Sequence, residues 1–389
     1  MTKAEKCKQI RLIAESCEQK DIPSVFKNKL EKMVGGSNVV IYGAGTAGRM
    51  FTRYFLDMFG NRNAINCFLD KNAADGQTCL DYLVYKPDDL RFDQKFRKDA
   101  LVIIAILLDD VQYNEIIESL KKIGYTKFTN AMPLIIQQLL FILRDINDDS
   151  TIASQAGNIE SALELMADEH SDDVFISHFN AHVTANYDMG RKLSVGMTQY
   201  VDVNVTFRHN YRSFVDCGAY TGDTFEDLIK RHKVKQYFGF EPDMLNYAKL
   251  LQNIDVLQDK AQRCVVLPLG VGDKNKYVRF SSAEDSSIAN DTGDDIVQIV
   301  CLDDILKGYD DLFIKMDIEG AEISALKGAK NIIENTAPDL AICVYHRISD
   351  LWRIPLMLKE YVPEYKFYMR NHHAYFFDTV LYATLGQSS

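Results

Sequence analysis

Short, wholly apolar runs alternate with amphipathic segments along the chain, and this alternation occurs in two separate stretches. In the first stretch, Val39–Tyr42 leads through a glycine turn into a segment with helical spacing, and "INCFLD" ends at Asp70. Ala100–Leu108 is apolar throughout, as expected for a parallel strand covered on both faces. The next segment has helical spacing and stops at Gly124. Residues 1–145 are therefore predicted to form a doubly wound, Rossmann-like α/β domain.

The second alternation starts near Tyr211 and predicts seven strands. Helical segments separate the first five strands, whereas only the short segment "HHAYFF" separates the last two. Such a short connection predicts a hairpin, so that one antiparallel strand ends an otherwise parallel sheet. Residues 146–210 show helical spacing without strand-like runs. The predicted fold class is α/β, with two doubly wound domains, 1–145 and 211–389, joined by a helical connector at 146–210.

Composition and charge limit the kinds of partner that the protein can have and the cellular compartment in which we expect it. A chain of 389 residues is long enough for two domains, and its net charge of -11 argues against a nucleic-acid partner. The longest apolar runs, 100–108 and 133–143, are too short to span a bilayer, and we interpret the second as a packed helix. The first residues carry charges throughout, unlike a signal peptide. The eight cysteines are scattered without a C-x-x-C pair, which favours buried thiols in a cytoplasmic protein.

The first glycine turn has a nucleotide-binding pattern. Gly43, Gly45 and Gly48 fit G-x-G-x-x-G between a strand and a helix, and Asp70 ends the following strand. Such glycines let a phosphate approach the backbone, while a carboxylate in the position of Asp70 can hold a ribose diol. The alternative is that the glycines only allow tight packing of the strand against the helix. Both interpretations remain open.

The second glycine turn follows a different pattern, D-x-G-x-x-x-G, formed by Asp216, Gly218 and Gly222. This wider spacing suits S-adenosylmethionine, whose amino-acid end needs both hydrogen-bond donors and an acceptor. The loop amides can donate, and Asp216 can accept from the ammonium group, directly or through water. Glu241 ends the next strand, where a carboxylate can accept two hydrogen bonds from a ribose diol. The alternative makes Asp216 a helix cap and Glu241 a solvated charge.

Acidic residues cluster where the strand "LFIKMDIEG" ends. Asp317 and Glu319 occur at the end where open α/β sheets bind ligands, whereas Glu322 is assigned to capping the next helix. His346 ends the following strand and can act as a base toward a hydroxyl group. Asp317 could be the base instead, or Asp317 and Glu319 could together hold Mg²⁺ through oxygen ligands. No residue is assigned as a dedicated metal ligand.

Two histidines, His178 and His182, lie one helical turn apart in "SHFNAH". Because the sequence offers no third ligand nearby, we interpret this pair as part of a surface helix face.

Several motifs occur in order and together resemble the FkbM-type methyltransferases. They are "FVDCGAYTGDT", "FGFEPD", "IKMDIEGAE", "LKGA", "YHRISDLWRIPLML" and "DTVLYA". The resemblance implies a seven-strand methyltransferase sheet, S-adenosylmethionine as methyl donor, and hydroxyl groups of sugars or natural products as acceptors. It implies a rim with catalytic Asp317 and Glu319, to which we add His346. The cofactor-binding positions implied by the first two motifs are Asp216, Gly218, Ala219, Gly222 and Glu241. The neighbouring residues Tyr220, at a position that the family varies, and Pro242 are also predicted to contact the cofactor.

The N-terminal part is similar to the nucleotide-sugar-binding domain that precedes some sugar acetyltransferases. The similar stretches are "IYGAGTAGR", "FLDKN", "VYKPDDL" and "LVIIAI". Together the two resemblances imply a cytoplasmic enzyme of a bacterial surface-polysaccharide pathway, with a small molecule, a glycan or a nucleotide sugar as substrate.

The predicted function is O-methylation of a sugar or glycan hydroxyl by an S-adenosylmethionine-dependent enzyme. One alternative is an NAD-dependent sugar oxidoreductase or epimerase that uses the N-terminal glycine turn. The sequence near that turn lacks a helical Tyr-x-x-x-Lys pair, which argues against it. The other alternative is a non-catalytic nucleotide-sugar-binding protein, against which the acidic rim argues.

Overall fold

The structure is a computed structural model that divides into two compact units. One unit comprises Met1–Glu18, Asp145–Phe179 and Gly190–Ser389, and the other comprises Gln19–Arg144 and Asn180–Met189. The described residues are 1–15, 31, 34, 38–60, 62–106, 110–132, 135, 152–184, 188–196, 199–201, 204–209, 211–257, 260–281, 288–289, 295–373 and 375–386.

The smaller unit contains a six-stranded sheet with the order β3-β4-β2-β1-β5-β6. Its strands are β1 Val39–Tyr42, β2 Ile65–Leu69, β3 Thr78–Cys79, β4 Tyr82–Tyr85, β5 Leu101–Ile104 and β6 Lys127–Asn130. Every pair is parallel except β3 with β4. The helices with described bounds in this part are Thr46–Phe59, Gln94–Asp99 and Asp110–Lys122, with a short 3₁₀ turn at Arg62–Ala64. The predicted α/β alternation is confirmed, because β1, β2 and β5 coincide with the apolar runs.

The larger unit is built on a seven-stranded sheet with the order β16-β17-β15-β14-β7-β8-β9. Its strands are β7 Ser213–Cys217, β8 Gln236–Phe240, β9 Arg263–Leu267, β14 Leu312–Met316, β15 Asp339–Cys343, β16 Lys366–Asn371 and β17 Thr379–Thr384. Only β17 runs antiparallel to its neighbours β15 and β16. All seven predicted strands and the closing hairpin are confirmed.

Helices connect the parallel strands of this sheet. They are Asp223–Arg231, Met244–Leu257, Leu302–Ile305, Glu322–Gly328, Lys330–Thr336 and Asp350–Tyr361. Rings of Phe214, Phe225, Tyr237 and Phe313 are fully buried on the sheet. This packing fixes the ends of the strands, from which the candidate site is built.

A second, four-stranded sheet in the larger unit was not predicted. Its strands are β10 Gly270–Val271, β11 Lys276–Ser281, β12 Ile288–Ala289 and β13 Asp295–Val300, in the order β10-β13-β11-β12. The sequence pattern assigns 264–272 to one strand, but the chain leaves the large sheet after Leu267. Pro268 follows at once, and a proline cannot donate a hydrogen bond to a sheet.

The region assigned to a connector contains the helices Ala156–Glu164, Glu169–Thr184 and Asp188–Leu193, with a 3₁₀ turn at Ile152–Gln155. The helix Lys3–Glu15 packs against Ala156–Glu164. Lys3 donates to the carbonyl oxygen of Met166 at 2.7 Å, and Lys6 pairs with Asp173 at 2.6 Å. These contacts explain why the first helix groups with the larger unit.

The expectation that His178 and His182 lie on a surface face is wrong. His178 is 2% exposed and stacks on Phe376 with 4.9 Å between ring centroids, and His182 is also buried. The predicted helix at 133–143 lies almost entirely outside the described residues. Within the part of the chain that the structure covers, no helix is both long enough and apolar enough to cross a membrane.

Candidate active site

The candidate site lies at the carboxyl ends of β7, β8, β14 and β15. After β7 the chain forms a glycine loop, residues 218–222, before the helix Asp223–Arg231. Gly218, Tyr220 and Gly222 have φ values of 80°, 49° and 86°, so the loop is left-handed at three positions. A Cβ atom on Gly218 would lie 1.9 Å from the carbonyl oxygen of Asp317, so only glycine fits between these two strand ends.

Glu241 closes this loop from the neighbouring strand. One of its carboxylate oxygens accepts from the backbone N–H of Tyr220 at 2.8 Å, and the other from that of Asp243 at 2.9 Å. Burial raises the pKa of Glu241 to about 7, against the opposing effect of these hydrogen bonds. Ala219 is buried beside it, and Pro242 is half-buried. The structure thus brings Tyr220 of the loop and Glu241 into direct contact.

Asp216 faces the interior instead of the loop. It is fully buried, pairs with Lys315 at 2.9 Å and accepts from the Tyr237 hydroxyl at 3.2 Å. Lys315 also donates to the carbonyl oxygen of Gly218 at 2.6 Å. Asp216 therefore neither caps the helix nor presents its carboxylate to solvent; its observed partner is Lys315, and together they brace the glycine loop. Burial opposes the charge on Lys315, but Asp216 and Asp317 raise its pKa.

Asp317 follows β14 and is held by two tyrosines. Its carboxylate accepts from the Tyr200 hydroxyl at 3.0 Å and from the Tyr345 hydroxyl at 3.1 Å. Burial works against its ionisation, but Lys315 and His346 lower its pKa below the ordinary value. Asp317 is thus ionised at neutral pH. Sequence reasoning missed Tyr200, because this residue lies outside any strand or glycine motif.

His346 lies among carboxylates and is 2% exposed. Its Nδ1 is 3.0 Å from Glu322, while its Nε2 is 3.5 Å from Asp317 and 3.6 Å from Glu319. Burial opposes protonation, but Glu322 and then Asp317 and Glu319 raise the pKa of His346 to about 10. The ring therefore carries its proton at neutral pH in the absence of another cation. A protonated His346 differs from the unprotonated base that the sequence predicts at this position.

The remaining carboxylates differ in exposure. Glu322 is fully buried and accepts from the backbone N–H of Ile318 at 3.0 Å, so it supports the turn before its helix as well as contacting His346. Glu319 has φ 54° and a side chain that is 42% exposed. Burial raises its pKa above the ordinary value. Glu319 is thus the carboxylate of this rim that solvent reaches most readily.

Asp378 is a further acidic residue that sequence reasoning missed. It precedes β17, and burial together with Asp317 raises its pKa to about 6. The turn between β16 and β17 lies at the carboxyl edge of the parallel strands, because β17 runs back across the sheet. The predicted hairpin was therefore the signal that could have found Asp378.

Three of these side chains could hold a metal ion. Asp317, Glu322 and His346 each offer one ligand atom, and these atoms lie within 4.8 Å of one another.

The N-terminal glycine turn is arranged partly for packing. A Cβ on Gly48 would lie 1.9 Å from the carbonyl oxygen of Gly43, which itself has φ 106°. Gly45, by contrast, has no atom within 4 Å of an added Cβ, so packing does not require it. Asp70 accepts from the backbone N–H of Ala44 at 3.1 Å, so its carboxylate lies against the turn.

Comparison with known proteins finds a family model that matches the C-terminal part of the chain. Residues 216–375 match the family model described as "Methyltransferase FkbM domain". The crystal structure of Methyltransferase FkbM from Methylobacillus flagellatus KT is similar with a TM-score of 0.68 and 22% sequence identity. The alignment covers 97% of this chain and 99% of that one, and at this identity it establishes a shared fold. No protein of curated function matches the sequence. Residues 216–375 are thus similar to the methyltransferase FkbM domain.

Proposed function

We propose that the chain transfers a methyl group from S-adenosylmethionine to a hydroxyl group of a sugar or glycan. The observation that carries this proposal is the hydrogen bond between Tyr220 and Glu241, which joins the glycine loop to a buried carboxylate. The loop approaches within van der Waals contact of the turn that bears Asp317. The proposed nucleoside site and the acidic rim are at the same edge of the sheet, which supports methyl transfer to a polar acceptor.

The residues around the glycine loop fit the proposed donor. S-adenosylmethionine supplies a methyl group on a positively charged sulfur, which a nucleophile attacks in line. Glu241 uses each carboxylate oxygen once toward the backbone and keeps lone pairs for a ribose diol. The backbone of residues 218–222 offers amides before a helix N-terminus, where an α-carboxylate is favoured. Asp216 acts indirectly, because its pairing with Lys315 holds the loop in place.

A carboxylate of the rim is proposed to receive the proton of the acceptor. His346 already holds its proton at neutral pH, since the surrounding carboxylates raise its pKa to about 10. Glu319 is accessible and its raised pKa makes it a better proton acceptor than an ordinary surface glutamate. Asp317, fixed by two tyrosine hydroxyls, is suited to orient the hydroxyl group. Asp317, Glu319 and His346 thus remain the proposed catalytic group, with the proton-accepting role assigned to Glu319.

The alternative to a carboxylate base is a Mg²⁺ ion bound by oxygen ligands from Asp317 and Glu319. The ion would lower the pKa of an acceptor hydroxyl group.

The N-terminal turn is proposed to bind a nucleotide sugar through Gly43, Gly45, Gly48 and Asp70. Its support is the open space at Gly45, beside the first turn of the helix Thr46–Phe59. A cytoplasmic site of action is also part of the proposal, since every cysteine that the structure describes carries a free thiol.

The decisive experiment is incubation of the full chain with labelled S-adenosylmethionine and a panel of nucleotide sugars and glycans. We expect labelled product with at least one hydroxyl acceptor, and at least a tenfold lower kcat for Glu319→Gln with donor affinity unchanged. Asp227→Asn, which removes an exposed carboxylate from the neighbouring helix, serves as control and should retain activity. Stabilisation of the chain by NAD but not by S-adenosylmethionine would instead favour an oxidoreductase.

A further inference from the structure

We propose that Asp317, Glu322 and His346 form a binding site for a divalent transition-metal ion. The three residues come from separate places in the sequence: the end of β14, the start of the helix Glu322–Gly328, and the segment after β15. Each provides one ligand atom, and these atoms lie within 4.8 Å of one another. Small movements of three side chains would bring the atoms to the spacing found around a bound ion.

Two buried polar atoms of this cluster support a cation site. Nε2 of His346 and one carboxylate oxygen of Glu322 have no hydrogen-bond partner among the described residues, although His346 is 2% exposed and Glu322 is fully buried. The Nε2 atom faces Asp317 at 3.5 Å and Glu319 at 3.6 Å. These separations are too long for good hydrogen bonds. The first of them, between His346 and Asp317, is close to the roughly 3 to 3.5 Å between neighbouring ligands of a metal ion with bonds of about 2.1 Å.

Charge balance supports the same conclusion. Lys315 is committed to Asp216 and to the carbonyl oxygen of Gly218, so it does not neutralise the rim alone. A divalent cation at the cluster would place positive charge beside the buried carboxyl groups of Asp317 and Glu322.

The ligand set indicates the class of ion. Two carboxylates with one imidazole suit Mn²⁺, Fe²⁺, Co²⁺ or Zn²⁺, whereas sites dedicated to Mg²⁺ or Ca²⁺ consist of oxygen ligands. The tyrosine hydroxyls on Asp317 and the backbone N–H on Glu322 are the outer contacts that orient such carboxylates. The proposed ion lies beside Glu319 and would thus face the acceptor.

The test is direct metal binding to the full chain after chelator treatment, measured by titration calorimetry with Mn²⁺ and with Mg²⁺, and by the absorption spectrum of added Co²⁺. We expect saturable binding of one Mn²⁺ per chain, tighter than that of Mg²⁺, and Co²⁺ bands of a site with a nitrogen ligand. His346→Gln and Asp317→Asn should each weaken Mn²⁺ binding by at least about tenfold.

The matched control is Asp378→Asn, which removes a carboxylate from the same rim without removing a ligand of the set. Its Mn²⁺ affinity should stay close to that of the unsubstituted chain. An equal loss in Asp378→Asn would mean general attraction to an acidic rim and would overturn the proposal, as would the absence of saturable binding. Mn²⁺ binding that His346→Gln leaves unchanged would also overturn it.

A thermal shift with S-adenosylmethionine in the same samples reports folding and donor binding. If S-adenosylmethionine binds to the chain but no metal ion does, the proposed metal site is excluded, whereas the proposed methyl transfer still stands.

Discussion

Buried ionisable side chains decide what the individual residues of the site can do. Lys315 and Asp216 illustrate this, because the sequence suggests a ligand contact for Asp216 while the structure gives it an internal partner. His346 shows the same effect, since its charge depends on Glu322, which lies 24 positions earlier in the sequence and 3.0 Å away in space. Through-space partners of this kind leave no local pattern, so the charge of a site residue cannot be predicted from its own motif.

The first prediction concerns the ionisation of Glu241. Burial raises its pKa from 4.5 to about 7, so the folded protein keeps a proton that the unfolded chain loses between these values. Stability contributed by this group is thus present at low pH and is lost as the pH rises through that window. Binding of S-adenosylmethionine should strengthen over the same range, because an ionised carboxylate is the better acceptor for ribose hydroxyls.

The test is equilibrium binding of the donor between about pH 5.5 and about pH 8.5, a range that brackets the shifted pKa of Glu241. Glu241→Gln should bind more weakly and lose the pH dependence, whereas Asp227→Asn should keep both. A wild-type pH profile in Glu241→Gln would assign the titration to another group.

At the level of elements, continuous apolar runs were sufficient to predict the large sheet. Each of its strands is buried on both faces or closes the sheet as a hairpin, so its sequence is distinctive. The four-stranded sheet was missed because its strands are short and partly exposed; Tyr277 and Ile296 are 72% and 69% exposed. In such strands apolar and polar residues alternate only weakly, so their sequences resemble those of loops.

The glycine loop gives the second prediction, which compares two glycines of similar backbone conformation. Gly218 and Gly308 have φ values of 80° and 83°, but only Gly218 faces another backbone, at 1.9 Å from an added Cβ. Gly308→Ala should cost about 1 kcal/mol, the strain of a left-handed residue. Gly218→Ala should cost more than about 3 kcal/mol, because the ends of β7 and β14 must separate.

Denaturant unfolding followed by the fluorescence of Trp352, the single tryptophan, measures both variants in the larger unit. Equal losses of stability would show that strain alone matters and that the close approach of the two strands does not.

At the scale of the whole molecule, the chain does not divide in sequence order. The first helix belongs with the C-terminal sheet, although the predicted N-terminal domain at 1–145 includes its residues. The spacing of apolar residues cannot tell which core a helix joins. The charged contacts of Lys3 and Lys6 with residues 166–173 decide this in the structure.

The third prediction tests this grouping with two lysines of the same helix. Lys6 is buried and bonded to Asp173, whereas Lys8 is exposed. Lys6→Ala should lower the stability of the larger unit by about 1 kcal/mol or more, and Lys8→Ala should leave it unchanged. The thermal midpoint of Trp352 fluorescence is the measurement, and identical midpoints for both variants would contradict the grouping.

The early position of this helix has a consequence for synthesis. Residues 3–15 are made before the six-stranded sheet, yet their partners at 156–173 emerge only after that sheet has been completed. Until then Cys7, Ile10 and Ala14, which are buried in the finished protein, have no core to join. The smaller unit is thus free to fold during translation, while the larger one must wait until the strand Thr379–Thr384 has been made.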